Sequence, residues 1–281
     1  MLSRRWLVNC ALILVIAVLA FASFHFGAEP GEKSSPRISS LQADDIERLE
    51  LRADALHLTL QRDGDGWRIT APVDWPADTA NVERLLSILE IESSAVAELA
   101  DVDPQAIGLQ PPKATLQLND TTLVFGASNN IGGRRYVLIE SRLYLVPDMH
   151  LAFAAQGMPG IVDRRLLPGR YDISALRLPE LEIRRDSEEQ WQSSRDATTT
   201  QKQLELVVGN WQALPASRIL RYAGDASAGE PIEIQFADGQ RIDFLLLSTQ
   251  PEIIIANPSI GLQYHFRANL YDQLLAPAAD A

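Results

Sequence analysis

Apolar and polar residues alternate over Ile46-Glu47-Arg48-Leu49-Glu50-Leu51 and again over Leu56-His57-Leu58-Thr59-Leu60-Gln61. Period two predicts strands with one wet face. Asp63-Gly64-Asp65-Gly66 then turns the chain into Trp67-Arg68-Ile69, and Asp-Gly between alternating runs is a hairpin signal. Pro72 to Pro76 reads as a loop. Asp78 or Thr79 can cap a helix whose apolar positions Val82, Leu85, Leu86 and Leu89 follow the 3.6-residue period. A strand is expected at Ala95–Leu99, then a turn from Asp103-Pro104 to Gly108. Strands follow at Ala114–Leu118, Leu123–Phe125, Tyr136–Ile139 and Leu143–Val146, with a short helix from Asp148 to Ala155.

The pattern starts again after Leu166. Ile173–Leu178 parallels Ile46–Leu51, and Leu181–Asp186 parallels Leu58–Asp63. Trp191 stands where Trp67 stood. A helical run at Thr199–Trp211 matches the Asn81–Leu89 helix, and Pro231–Phe236 matches Pro112–Leu118. Ile253–Ala256 and Ala268–Leu275 match the Tyr136–Ile139 strand and the closing helix. Two copies of one strand–hairpin–helix–meander unit are therefore expected, over about 46–155 and 173–275.

A different pattern precedes both copies. Arg4 and Arg5 are followed by a nearly unbroken apolar run from Trp6 to Phe26. Its Leu, Ile, Val and Phe residues favour insertion by about −4 to −7 kcal/mol, and the two arginines hold that end in the cytoplasm. Twenty residues at a rise of about 1.5 Å cover the hydrocarbon core. An uncleaved membrane anchor is expected. Ala20-Phe21-Ala22 gives the rival reading, a cleaved secretory leader. Either way the body is exported. Ala28 to Ser40, rich in Pro, Gly, Ser and charge, reads as a linker. The expected organisation is an anchor at 1–27, a linker at 28–40, a first α+β module at 41–165 and a second at 166–281. The fold class is α+β: a transmembrane helix, then two related antiparallel-sheet modules, each with a packed helix.

Composition narrows the function. The formal net charge is −12, with 37 acidic and 25 basic residues. Phosphate binding needs the opposite balance, so no nucleic-acid partner is expected. Cys10 is the only cysteine and lies inside the apolar run. The body therefore has no disulfide, no cysteine-based zinc site and no thiol nucleophile.

Gly66-Trp67-Arg68-Ile69 leads through Pro72 and Asp78 into the Leu-rich helix. Then come Gly108-Leu109-Gln110-Pro111-Pro112, Phe125-Gly126, Arg135-Tyr136-Val137, Leu143-Tyr144-Leu145-Val146 and Asp163-Arg164-Arg165-Leu166-Leu167. In that order, over roughly residues 46–240, the chain resembles the bacterial envelope family catalogued as domain of unknown function 4340 (DUF4340). The resemblance implies a single membrane segment at the start. It brings no established catalytic residues, and it implies an association of some relatives with ABC-type transport systems. The second copy lacks the Gly-Leu-x-Pro-Pro motif.

No residue is assigned as catalytic, cofactor-binding or metal-ligating. Asp63-x-Asp65-Gly66 lacks the further ligands of a calcium loop and reads as a hairpin turn. The loop Gly126–Gly133 lacks the Gly-Lys-Ser/Thr ending of a phosphate cradle, and Arg134 and Arg135 beside it offer at most an anion contact. His25, His57, His150 and His265 show no metal-site spacing. Asp44-Asp45 and Glu188-Glu189 read as solvated loop carboxylates. Trp67 and Trp191 read as core plugs. The expectation is a non-enzymatic accessory or scaffold subunit of an envelope complex, held at the inner membrane by residues 6–26 with its body in the periplasm. The alternative is a small-ligand or glycan sensor.

Overall fold

The computed structural model describes residues 37–277, except 55, 94–95, 130–131, 152–155, 170, 195–198 and 226. The expected anchor at 6–26, Cys10, His25 and the linker up to residue 36 lie outside the described residues. Among the described residues, no helix is long and apolar enough to cross a membrane.

The first sheet holds β1 (Arg48–Ala53), β2 (Leu56–Asp63), β3 (Gly66–Ala71), β4 (Trp75–Pro76), β5 (Ala97–Glu98), β6 (Ala114–Leu118), β7 (Thr121–Asn129), β8 (Arg134–Ile139) and β9 (Arg142–Pro147). The helix α1 (Thr79–Leu86) lies between β4 and β5 in the chain. The strand order is β4-β3-β2-β1-β6-β7-β8-β9-β5, and every pairing is antiparallel. Register follows the alternation. Leu49 and Leu51 of β1 stand opposite Leu60 and Leu58 of β2 on one side, and opposite Leu118 and Leu116 of β6 on the other. All six are buried, and a slip of one residue would turn them to water.

The second sheet holds β10 (Ile173–Leu178), β11 (Leu181–Arg185), β12 (Trp191–Ser193), β13 (Arg218–Arg221), β14 (Glu230–Phe236), β15 (Arg241–Ser248), β16 (Glu252–Asn257) and β17 (Leu262–Arg267). The helix α2 (Gln201–Ala213) separates β12 from β13, and α3 (Tyr271–Leu274) closes the chain. The order is β12-β11-β10-β14-β15-β16-β17-β13. With β4 set aside, this is the order of the first sheet, strand for strand. In each sheet the strand after the helix crosses to the far edge, β5 beside β9 and β13 beside β17.

The correspondence reaches single side chains. Arg62 of β2 lies directly across from Trp67 of β3, its guanidinium carbon 4.9 Å from the ring centroid. Arg185 of β11 stands the same way across from Trp191 of β12, at 4.7 Å. Both indoles are buried, so each arginine closes a core plug from the solvent side. α1 and α2 each start on a side-chain cap. Asp78 accepts from the Asn81 backbone N–H at 3.1 Å. Thr200 and Gln203 form a capping box.

Five local expectations change. Trp75–Pro76, read as part of a loop, pairs with β3 as β4, and Gly126–Asn129, read as part of a loop, extends β7. The strand foreseen at 95–99 is only Ala97–Glu98, because the chain enters a 3-10 turn at Leu99. Asp148–Leu151 forms turns, and the rest of the helix expected to Ala155 lies outside the described residues. The closing helix at 268–275 is a 3-10 turn followed by the single turn of α3.

One cluster of buried side chains joins the two sheets. It runs from Leu51 and Phe125 through Ile161, Val162, Leu166 and Leu167 to Trp211, Ile234 and Phe244. A second, small cluster of Leu109, Leu138 and Leu143 lies under the loop after β5, with Leu99, Val102 and Ile107 packed on it. This loop explains why β8 loses its alternation: Val137 and Leu138 point to opposite faces, and both are covered.

Candidate functional site

The motif residues behind the family resemblance build packing. Gly108 and Gly126 meet where the loop after β5 crosses β7. The Ala127 N–H donates to the Ile107 carbonyl at 2.8 Å. A Cβ on Gly126 would stand 2.5 Å from that same oxygen, and one on Gly108 would stand 2.9 Å from the Ala127 nitrogen. The register of β7 against β8 slips between Phe125 and Ser128 at this crossing.

Asp163-Arg164-Arg165-Leu166-Leu167 forms the seam between the sheets. On the first side, the Asp163 N–H donates to the Pro76 carbonyl at 3.1 Å, and Asp78 donates to Ile161 at 2.7 Å. On the second side, the Leu167 N–H donates to the Trp211 carbonyl at 3.1 Å, and Ala216 donates to Arg164 at 2.8 Å. Arg165 forks onto the Asp163 carboxylate, Nε to Oδ1 at 3.0 Å and Nη2 to Oδ2 at 2.5 Å. Arg164 donates to the carbonyls of Ala216 and Ser217. Leu166 and Leu167 are fully buried. Trp75 of β4 and Tyr264 of β17 are also buried here, and among the described residues neither the indole N–H nor the hydroxyl makes a well-formed hydrogen bond. Burial pushes the Tyr264 phenol well above its ordinary pKa, and the Trp75 indole offsets only part of that shift.

Beside the seam a cleft of about 440 Å³ opens between the sheets. Leu56, Leu58 and Pro72 line it from the first sheet, and Ile260 and Leu262 from the second. Met158, in the 3-10 turn Met158–Gly160 that precedes the seam, completes the apolar wall. Two side chains supply polarity. His57 holds Glu50 by Nε2 to Oε1 at 2.7 Å. Arg52 and then His57 hold the Glu50 carboxyl below its ordinary pKa. Arg221, at the end of β13, is exposed, and its guanidinium has neither a hydrogen bond nor an ion pair with any described residue. Its Nη2 lies 2.8 Å from the point a Cβ on Gly157 would occupy, so the glycine leaves the guanidinium its place.

The residues weighed from sequence do not converge. Asp63 and Asp65 flank a hairpin turn, and the Asp63 carboxylate accepts from Arg68 at 2.9 Å. Arg135 is committed to Asp148 through Nε at 2.7 Å and Nη2 at 3.0 Å, so it is not a free anion contact. Arg135 and the Ser128 hydroxyl keep the Asp148 carboxyl below its usual pKa against its partial burial. Asp44 and Asp45 lie in an exposed 3-10 turn, and Glu189 pairs with Arg185 at 3.1 Å. His265 is buried against Glu252, Nδ1 to Oε2 at 3.1 Å. His150 lies 3.5 Å from the Ser87 hydroxyl and 3.4 Å from the Arg84 carbonyl, and burial lowers its pKa. Among the described residues, no histidine reaches both a carboxylate and a hydroxyl. None of them forms a group of three or more potential metal ligands.

The family model described as "Domain of unknown function (DUF4340)" matches residues 67–227, more than half of the chain. The chain belongs to the DUF4340 family. No curated protein and no solved structure matches it. The DUF4340 match begins at the plug Trp67, spans the Gly108–Gly126 crossing and the whole seam, and takes in Met158 and Arg221 of the cleft. The cleft went unread in the sequence because its walls are about 200 residues apart. No spacing rule joins Leu56 to Ile260 before the sheets close on each other.

Proposed function

We propose that this DUF4340 protein is a non-enzymatic accessory subunit of a bacterial envelope complex, tethered to the inner membrane by residues 6–26 with its body in the periplasm. One observation carries the reading: the residues that bear the family resemblance are spent on packing. Trp67 plugs the core, Gly108 and Gly126 seat a loop, and Asp163 to Leu167 lock the sheets together. What the signature specifies is a stiff two-sheet body, suited to presenting a surface to a partner. The apolar run and Arg4-Arg5 support the tether, and the acidic charge supports solubility outside the membrane. The association of family relatives with ABC-type transport makes such a system the first partner to look for.

Cross-linking in intact cells, followed by gentle solubilisation and affinity capture of the full chain, tests the proposal. The expected result is recovery of the same integral-membrane partner with and without cross-linker. Recovery of the chain alone, under conditions that keep other envelope complexes whole, would contradict it.

A further inference from the structure

The cleft between the sheets has the wrong lining for a glycan. Sugars are held by exposed aromatic faces and by fans of hydrogen-bonding side chains, and among the described residues neither Trp, Tyr nor Phe lines this cleft. Its walls are Leu56, Leu58, Pro72, Met158, Ile260 and Leu262. These offer an apolar body dispersion contact and removal from water. The volume of about 440 Å³ lies in the range of small-molecule sites.

Arg221 sets the sign of the head group. Many arginines elsewhere on the two sheets are committed: Arg135 to Asp148, Arg165 to Asp163, Arg177 to Glu182 and Glu233, Arg185 to Asp172 and Glu189, Arg218 to Glu252. The other strand arginines with no ion pair or side-chain hydrogen bond among the described residues, Arg48, Arg134 and Arg267, do not line the cleft. Arg221 lines the cleft without a carboxylate, in a chain where carboxylates outnumber cations 37 to 25. A planar guanidinium with free N–H groups matches a carboxylate or phosphate in two-point contact. His57 lies on the opposite wall, but its Nε2 is held by Glu50. Arg221 is therefore the cation open to an incoming anion.

We propose that this cleft binds a small amphipathic anion, one with an unbranched or compact apolar body and a single carboxylate or phosphate head paired with Arg221. The proposal is independent of the scaffold role.

Titration calorimetry on the full chain in nanodiscs of neutral phosphatidylcholine tests this. The probes are octanoate, octyl phosphate and uncharged octanamide, with empty nanodiscs as the blank. At least one anion should bind saturably and octanamide much more weakly. The better of the two anions identifies the head group. Arg221→Gln should weaken that anion roughly ten- to hundredfold, the effect of losing a charge-assisted pair. Arg221→Lys should recover part of the loss. Arg221 is exposed, so both variants should keep the wild-type melting temperature, which is measured alongside. Absence of saturable binding by either anion would overturn the proposal. So would anion binding that Arg221→Gln leaves unchanged.

Discussion

Gly126 has no room for a methyl group, and the reason is a neighbour 19 positions earlier in the chain. The Ile107 carbonyl oxygen would lie 2.5 Å from the new Cβ, and the Leu109 and Tyr136 side chains at 3.2 and 3.3 Å close the other directions. Gly126→Ala should destabilise the fold by about 1–3 kcal/mol, the usual cost of forcing an extra carbon into a packed site. The midpoint of urea denaturation reads this directly. His150 makes a second prediction at this scale. Burial lowers its pKa below the ordinary 6.5, so the unfolded chain takes up a proton first as pH falls. The stability it protects is complete above pH 6.5 and is lost progressively below it. His150→Gln should therefore flatten the dependence of melting temperature on pH between 7 and 5, leaving the steeper acid limb to carboxylates such as Asp148 and Glu252. Part of this scale was legible in advance. Trp67 and Trp191 read correctly as equivalent plugs, because large aromatics at matching positions have few other uses. The arginines above them and the free Arg221 were not legible. Whether an arginine is paired depends on which strand the fold lays beside it.

The same contrast holds for elements. Strands with clean alternation, such as β1, β2 and β14, were readable because one face of each is wet. β15 was not read, since Leu245-Leu246-Leu247 breaks the period and the pairing with β16 shifts there. β5 was read too long and β13 was missed for another reason. Each is short and gains its partner only when the chain crosses to the far edge of a finished sheet. The helices behave more locally, and α2 offers two opposed tests. Thr200→Ala removes the hydroxyl that accepts from the Gln203 N–H, and should cost about 0.5–2 kcal/mol. Gly209 lies in the exposed interior of the same helix with nothing within 4 Å of a new Cβ and an ordinary φ. Gly209→Ala should stabilise by about 0.5–1 kcal/mol. Denaturation midpoints of the two variants should move in opposite directions, and a shift in the same direction would show that α2 is not a separable determinant of stability.

On the scale of the whole molecule, two sheets of one topology share a core through a seam of five family-motif residues. That the pattern repeats was visible in the sequence. How the copies meet was not, because the seam is a local run, Asp163 to Leu167, whose partners Pro76, Trp211 and Ala216 lie in both modules. The seam ties two weakly similar halves into one packed core, and the proposed tether at residues 6–26 would hold that body at the membrane. The account as a whole depends on that placement. A full-length fusion at the C-terminus to alkaline phosphatase, which requires an oxidising compartment to form its disulfides, and a matching fusion to a green fluorescent protein that matures in the cytoplasm, decide it. Phosphatase activity in the membrane fraction, resistant to alkaline carbonate and paired with a dark fluorescent fusion, is the predicted result. A fluorescent fusion with inactive phosphatase would contradict the account.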